Sequence, residues 1–415
     1  MNLKNMPVFF LLLVSAVFAG ENPFQEIQKT VLANNSRIKA MEGEALMLKT
    51  QISTSSALED PKLKLGVNNV PVMNPGFKMD SMTSKEIGIS QMIPLGGKLG
   101  LRESIAEKKY TAALEKVRKE KAEVLHMARM GLYELSFVRD SIKIMEEIKA
   151  QIKILVDSEI AANKSGTGSL TNVIKANIEY NMIDEGLISL HQKETEVTSR
   201  IEYLAGKKGV PPLLELPEPE LRDVEAESYI REVLAVNPDL RIITLEKDIA
   251  GNEMSLKRKD NIPDVEFGIS YMQRDKTSVS KGDDMFSAMA VLNIPIWQGS
   301  KNRPMIEEMK NKLSMSQNYL SDKKNFLVSG VETIHSRMKK WSSLYSLYKD
   351  QIIPQTELSV ETSHAGHKAG TREFMSIIDG IRMLLKYKID MLMAKKEFQS
   401  DLSELHMLMG GEILK

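Results

Sequence analysis

Four short runs of the chain predict strands, and three of them alternate apolar and polar residues with a period of two. The first, KLKLGVN, begins at Lys62, and a second surrounds Ile87 and Ile89. A third, DVEFGISY, begins at Asp264, and a more continuously apolar run, MFSAMAVLNIPI, begins at Met285. A period of two with one polar face predicts strands that are half in an apolar environment.

Between these runs, apolar residues recur every three or four positions and predict helices of unusual length. From Leu101 to Asn163 the chain has no Pro and a single Gly, Gly131. A continuous helix of this length would extend for about 90 Å, which is typical of coiled coils and helical barrels. A second such stretch begins at Pro304, which fits a first helical turn, and contains Pro354, which predicts a kink.

The two halves of the chain carry the same landmarks in the same order. VLANN from Val31 matches VLAVN from Val233 at an offset of 202, and Pro61 matches Pro263 at the same offset. Lys-x-Gly-Thr also occurs in both halves, in KSGTGSL and in KAGTREF. We interpret the chain as a duplicated unit, in which each copy has a helix of about 30 residues, two strands, a very long helix, a turn and a returning helix.

The N-terminus predicts a cleaved secretory signal peptide. Lys4 precedes an apolar core from Pro7 to Val17. Val17-Phe18-Ala19 then has small residues at the two positions that determine cleavage, Val17 and Ala19. No other run is long enough for a transmembrane helix, so a membrane-inserted mature chain would enter as strands. The predicted division is a signal peptide at 1–19, a first structural repeat at 20–205, a Pro-rich linker at 206–228 and a second repeat at 229–415.

Composition and motifs argue against several classes of function. Lys+Arg and Asp+Glu balance at 56 each, so no overall electrostatic field favours nucleic acid. The chain has no Cys and therefore no disulfide framework. It also contains no Gly-rich phosphate loop, no His-Glu metal motif and no Gly-x-Ser-x-Gly nucleophile elbow. We therefore predict no enzymatic activity, no cofactor and no nucleic-acid partner.

The chain has 26 Met, and thioether sulfur suits soft monovalent metal ions. Met is also a common filler of helical cores, and the two His near the second Gly-Thr turn have no third ligand beside them in the sequence. We therefore predict no metal site. The residues weighed as ligands are Met79, Met82, Met407, Met409, His364 and His367.

The strands impose a requirement on the assembly. Four strands cannot satisfy their own edges, and in hydrocarbon an open edge leaves unpaired amides. The simplest solution is that several chains each contribute four strands to one closed barrel, with the long helices continuing away from the membrane. The predicted fold is therefore mostly α with a small β part.

Several segments resemble the TolC-type outer-membrane efflux and secretion channels, in the order that family has them. They include VLAVNPDLRIITLEKDIAGNEM, AVLNIPIWQGSKNRPMIEEMKNKL and YKIDMLMAKKEFQSDLSELHMLMG. The resemblance implies a homotrimer with a shared twelve-stranded barrel in outer-membrane lipid and a periplasmic helical barrel. It also implies two partners, a periplasmic adaptor protein and an inner-membrane transporter.

In this family the two Gly-Thr turns are the periplasmic tips of the tube, where the adaptor docks. The Gly residues are expected to permit the turn through left-handed backbone conformations, and the Thr residues to cap the returning helices. The implied docking residues are Gly166, Thr167, Gly168, Gly370 and Thr371.

The resemblance also implies a gate near the tips. Arg372 matches an arginine that bonds to the neighbouring tip, where its partner would be Thr171, and Asp379 matches an aspartate that rings the constriction and favours cations. Asn172, His367 and Ser376 stand where a well-known member has an acid, a tyrosine and a second ring acid. Without the resemblance, Arg372 and Asp379 would be interpreted as solvated helix residues.

Three functions follow from this reasoning. The leading one is a passive conduit of a tripartite efflux system, carrying small molecules or metal cations; SQMIPLGGKLGLRESIA resembles the heavy-metal and cation branch. The second is a type I protein-secretion channel. The third, from a different class, is an exported coiled-coil structural protein, which would need no detergent for extraction.

Overall fold

The computed structural model of the protein describes residues 23–209, 215–221 and 225–411. The predicted signal peptide, 1–19, lies outside the described residues, and the predicted linker, 206–228, is described only in part. In the described ranges, no helix combines the length and the apolarity that a membrane crossing requires.

Over the described residues, the chain is mostly helical and carries one four-stranded antiparallel sheet, as predicted. The first half contains α1 (Pro23–Asn34), α2 (Ser36–Ser56), β1 (Lys62–Asn68), β2 (Ser84–Ile93), α3 (Lys98–Lys164) and α4 (Leu170–Ala205). The second half contains α5 (Ala226–Val236), α6 (Pro238–Lys259), β3 (Val265–Arg274), β4 (Met285–Leu292), α7 (Arg303–Leu347), α8 (Ile353–Lys368) and α9 (Phe374–Leu408). The order of elements in the first half thus recurs in the second.

The prediction that each half begins with a single helix is wrong, because an Asn interrupts that helix. Asn35 is extended, and its Oδ1 accepts hydrogen bonds from the backbone N–H of Arg37 at 2.9 Å, so a new helix begins. Asn237 does the same for Leu240 at 3.0 Å. Each Asn also donates its Nδ2 to the end of the returning helix, at Leu204 O (3.1 Å) and Leu408 O (2.7 Å).

The very long helices form largely as expected. α3 has 67 residues and is about 100 Å long at 1.5 Å per residue. Its counterpart is divided into α7 and α8 by a π-helical turn at Tyr348–Ile352. Pro354 lies in the first turn of α8, where the missing N–H breaks the ladder of hydrogen bonds. Another π-helical turn, Gln298–Asn302, precedes Pro304 in the first turn of α7.

The sheet has the order β1-β2-β3-β4, so β2 pairs with β3 across the two halves. Its two faces differ sharply: Ile87 is 52% exposed, whereas Glu86 beside it is 6% exposed. On the polar face a Cβ on Gly88 would lie 2.9 Å from Ser270 Cβ, so neighbouring strands approach each other closely there, and we infer that the sheet curls toward this face. The exposed apolar face consists of Leu63, Leu65, Val67, Ile87, Ile89, Phe267, Ile269 and Tyr271.

A buried ion pair joins the sheet to the helices. Lys98, at the start of α3, is 3% exposed. Its Nζ donates to Asp264 Oδ1 at 2.8 Å and to Ile262 O at 2.9 Å, and both acceptors belong to the second half of the chain. Gly97, with φ of 74°, turns the chain from the strand into the helix. The two halves are therefore held together at the junction of sheet and helices.

The helices pack as a layer around α3, which contacts α2, α4, α6 and α9. Toward the Gly-Thr turns the order across the layer is α4–α3–α9–α8, and toward the sheet it is α2–α3–α6–α7. The largest fully buried side chains, such as Leu132, Ile152, Ile377 and Phe398, lie between these helices. The outermost helices of the layer each have one side that no other described helix covers. The outermost strands of the sheet, β1 and β4, each have one unpaired edge among the described residues.

One buried carboxyl in this layer is held in an unfavourable state at neutral pH. Asp401 on α9 is buried, which raises its pKa to about 6, although Arg337 Nη2 lies 2.7 Å from its Oδ1. Glu404 and Glu397 add to the rise because like charges disfavour ionisation. Its second oxygen, Oδ2, is buried without a hydrogen bond.

We expect Asp401→Asn to stabilise the protein at neutral pH. A native pKa above the unfolded value means that the native state holds the proton more tightly. The stability that Asp401 contributes is therefore present below about pH 4 and is lost as pH rises to about 6. Thermal and urea unfolding, followed by helical circular dichroism, should show the variant more stable by about 1–2 kcal/mol per chain at pH 8, with the difference vanishing near pH 4.

Glu404→Gln is the matched control, because Glu404 shares Arg337 but lies at a more exposed position. It should not stabilise the protein at pH 8. An Asp401→Asn variant that is less stable than wild type at pH 8 would contradict the interpretation.

Candidate functional site

The first Gly-Thr turn is built around the C-terminus of α3. Gly166 has φ of 78°, a left-handed conformation that favours glycine. Thr167 Oγ1 donates to Ala162 O at 3.2 Å, so the hydroxyl satisfies the end of the preceding helix. The returning helix α4 is capped instead by Ser169, whose Oγ accepts from Thr171 N at 3.2 Å. The prediction that Thr167 caps the returning helix is therefore wrong.

The second turn repeats this geometry. Gly370 has φ of 69°, and Thr371 Oγ1 donates to Gly366 O at 3.0 Å. The returning helix α9 begins after Glu373, whose side chain makes no capping bond. Thr371, like Thr167, terminates the outgoing helix rather than capping the returning one.

Gly168 is required for a different reason from the one expected. Its φ is not positive, but a Cβ there would lie 2.8 Å from Ala162 Cβ. In the second turn the equivalent pair is Arg372 and Gly366: a Cβ on Gly366 would lie 2.8 Å from Arg372 Cγ. The glycine therefore occupies opposite positions in the two turns. In the first turn the glycine is Gly168, after the turn, and it faces Ala162 on the outgoing helix. In the second turn the glycine is Gly366, on the outgoing helix, and it makes room for Arg372.

A buried carboxylate connects the two tips. Glu159 on α3 is 4% exposed. Asn172 Nδ2 on α4 donates to its Oε2 at 3.2 Å, and His367 Nε2 on α8 lies 3.0 Å from its Oε1. Two residues that the sequence analysis placed at the gate are thus brought together by a third that it missed.

His367 also holds the second turn. Its Nδ1 lies 3.3 Å from Arg372 O, and its ring meets Phe374 edge-on at 5.7 Å between centroids. The two ring nitrogens of His367 therefore link the buried side chain of Glu159 to the second turn.

A second buried carboxylate lies about two turns further from the tips. Glu179 on α4 is 3% exposed and accepts a hydrogen bond from Arg382 Nε at 2.8 Å. This bond raises the pKa of the Arg382 guanidinium. Arg382 Nη1 lies 3.8 Å from Asp379 Oδ1, so the predicted constriction aspartate has a cation beside it.

The remaining predicted residues are not brought together within one chain. Thr171 and Arg372 are exposed and make no contact with each other, and Arg372 has no ion-pair partner in the part of the chain that the structure describes. Ser376 is half-buried in the first turn of α9, where its N–H donates to Glu373 O. A contact between Arg372 and Thr171 would need a second copy of the chain.

The sequence contained a signal for the missed carboxylates. Ile152, Leu155, Val156 and Glu159 are all buried and follow one helical face, as do Ala176, Glu179, Ile183 and Leu187. In each case a carboxylate occupies a position that the apolar pattern assigns to the core. A charged group in such a position requires a partner, since burial without one is costly.

The residues weighed as metal ligands lie apart. Across the described ranges, no three His, Cys, Asp or Glu side chains are grouped so that they could hold a metal ion. His364 lines a groove of about 450 Å³ between α3, α8 and α9, while His367 binds Glu159. Met409 is buried in the core around Phe398, and Met79 and Met82 are exposed.

The fold matches several outer-membrane channels of known structure. The channel protein CusC aligns with a TM-score of 0.78 and 12% identity, covering 94% of this chain and 92% of that one. The outer membrane protein VceC of Vibrio cholerae aligns with a TM-score of 0.75 and 12% identity, covering 94% and 96%. The CmeC outer membrane channel of Campylobacter jejuni aligns with a TM-score of 0.75 and 10% identity, covering 94% and 86%.

At these identities the comparison establishes the fold, that of TolC-type outer-membrane channels, as the sequence resemblance implied. No protein-family model matches the chain, and no curated protein matches it.

We expect Glu159→Ala to loosen both tips without unfolding the chain. The change leaves Asn172 and His367 without their shared acceptor, which costs about 1–3 kcal/mol. Hydrogen exchange of the amides in 163–172 and 366–376 should accelerate roughly ten- to hundredfold. Asp157→Ala is the control, since Asp157 is an exposed carboxylate on the same helix that pairs only locally with Lys153. Equal exchange in the two variants would show that the buried carboxylate does not hold the tips.

The exchanged small residue in the two turns gives a second prediction. Gly366→Ala should lower the melting temperature, because the new methyl group overlaps the Arg372 side chain. Gly366→Ala/Arg372→Gly restores the pairing of the first turn and should recover most of the loss. Failure of the second substitution to recover stability would mean that the overlap is not the cause.

Proposed function

We propose that the protein is the outer-membrane channel of a tripartite efflux system. The observation that carries this proposal is the four-stranded sheet, which exposes an apolar face and curls toward a polar one, joined to a helix of 67 residues. An apolar outer face with a polar concave face suits a strand segment that lies in lipid and encloses water. The shared fold supports the same conclusion and favours it over an exported coiled-coil structural protein.

The proposed assembly is a homotrimer in which three copies contribute twelve strands. β1 and β4 each leave one edge unpaired within the described chain, and α4 and α8 are the outer helices of the tip layer. An apolar stripe on α4 suits burial against α8 of the next copy, where Leu358 is also exposed. The stripe consists of Leu170, Ile174, Ile178 and Met182, spaced by four residues.

The proposed gate combines bonds within and between copies. Arg372 is exposed and forms no ion pair with the described residues of its own chain, which suits a bond to Thr171 of the next copy. Asp379 would ring the constriction, with Arg382 reducing its negative charge. Within one copy, Glu159 with Asn172 and His367 would replace the acid–tyrosine bond that the resemblance implies, and Ser376 would leave the constriction with one acid ring.

The tips and the ends of the tube define the proposed partners. Gly166, Thr167, Gly168, Gly370 and Thr371 form the two turns furthest from the sheet and would contact a periplasmic adaptor protein. An inner-membrane transporter would energise transport, since a passive tube has no energy source of its own. The mature chain would lie in the outer membrane and periplasm, with metal cations or other small molecules as cargo. The alternative is a channel for polypeptide secretion, which the bilayer recordings must distinguish from efflux.

Single-channel recordings of the detergent-extracted protein in planar bilayers test the proposal. Wild type should give small, cation-selective currents, because the tips are closed and Asp379 faces the opening. Arg372→Ala should raise the conductance severalfold, and Asp379→Ala should reduce cation selectivity. Lys175→Ala, an exposed cation of α4 without a role in the proposed gate, is the control for Arg372→Ala.

Absence of current from a folded, detergent-dependent trimer in every variant would overturn the channel proposal. A protein that is extracted without detergent and binds no lipid would instead support the structural alternative. Currents blocked by an unfolded polypeptide but not by small solutes would favour secretion.

A further inference from the structure

Two adjoining cavities lie on one face of the helical layer near the sheet. Their volumes are about 630 Å³ and about 500 Å³, and they share Leu48, Lys109, Glu253 and Lys312 in their walls. Side chains from α2, α3, α6 and α7 line them, so the cavities extend across all four helices of the layer. Together they form a single groove, which we call the upper groove.

This face of the layer is concave, because Leu48 of α2 and Lys312 of α7, from its two outermost helices, line one cavity. Asp239 on α6 receives Lys119 from α3 at 2.8 Å and Lys323 from α7 at 2.7 Å. Side chains from the two neighbours of α6 therefore converge over it. In a ring built from copies of this layer, the concave face is the inner one, so the upper groove would face the lumen of the proposed channel.

The upper groove carries three cations that are not paired with any carboxylate in the part of the chain that the structure describes. Arg102, Lys109 and Lys116 lie at intervals of seven residues on α3 and therefore share one face of that helix. None of the three forms an ion pair with a carboxylate of the described residues. The other two lining cations are paired, Lys312 with Glu253 and Lys257 with Asp260.

The carboxylates that line the groove do not balance these cations. Glu253 is occupied by Lys312, and Glu246 is the other lining carboxylate. The groove therefore keeps an excess of positive charge, carried by exposed side chains that a ligand in the groove could reach. Its remaining walls are largely apolar and include Leu48, Ile105, Ile249, Leu256, Met309 and Tyr319.

We propose that the upper groove binds amphiphilic organic anions, with an apolar body against the helices and a carboxylate or sulfonate against Lys109 and Lys116. The inference rests on the proposed function, because it assigns the groove to the transport path. It extends that function by naming a class of cargo that the gate residues do not indicate.

Calorimetric titration of the full mature protein in nanodiscs of neutral phosphatidylcholine tests the inference. The two probes are naphthalene-1-sulfonate and 1-naphthylmethylammonium, which share an aromatic body and differ in the sign of their charge. The sulfonate should bind saturably at low salt and the ammonium should not. Lys109→Gln/Lys116→Gln should weaken sulfonate binding at least tenfold.

Lys49→Gln/Lys108→Gln is the matched control. It removes the same charge from α2 and α3 at positions that do not line the groove, and it should change sulfonate affinity by less than twofold. Equal binding of the two probes, no sulfonate binding, or an equal loss in both double variants would overturn the anion site.

Planar-bilayer currents from the same preparation separate the two proposals. Current without sulfonate binding would overturn the anion site and leave the channel intact. Sulfonate binding without current would overturn the channel, and with it the claim that the groove faces a transport path.

Discussion

The pairing of β2 with β3 is the constraint on which the rest of the structure depends, because it is where two similar halves become one sheet. Ten residues of each strand pair in register from Ser84–Arg274 to Ile93–Val265. The Lys98–Asp264 pair lies next to this pairing and fixes the start of α3 to the start of β3. Since a long helix magnifies any error in its starting direction, this junction determines where the tips lie, about 100 Å away.

At the far end, buried polar bonds act together with an apolar core to hold the helices in register. Glu159 and Glu179 each occupy a core position and bind partners on another helix, Asn172 and His367 in one case and Arg382 in the other. A buried carboxylate tolerates few alternative arrangements, because a lost partner leaves its charge uncompensated. Such bonds suit a place where helices must be held in one arrangement and yet be able to separate, as the proposed gate requires. The upper groove is the contrasting region, since three of its five lining cations form no ion pair with the described residues.

The fold was largely predictable, and the errors in its prediction share a cause. Alternation predicted three of the four strands, a more continuously apolar run predicted the fourth, and the absence of Pro predicted the length of α3. The breaks at Asn35 and Asn237 were missed because an Asn inside a helical pattern interrupts it only when its side chain captures a nearby N–H and a distant carbonyl. The roles of Thr167 and Thr371 were misassigned for a similar reason. A hydroxyl between two helices can serve either end, and the close approach of Gly168 to Ala162 decides which.

By itself, the sequence determined which segments are helix and strand, that the halves share one order of elements, and where the chain turns, because local pattern and glycine conformation are properties of neighbouring residues. Tertiary structure alone decided which carboxylates are buried, which cations lack partners, and that Arg372 lies over Gly366. These facts depend on residues between 6 and 208 positions apart. Solvation and pairing of a charge are set by what surrounds it in space, and helix packing brings that environment together only after the chain has folded.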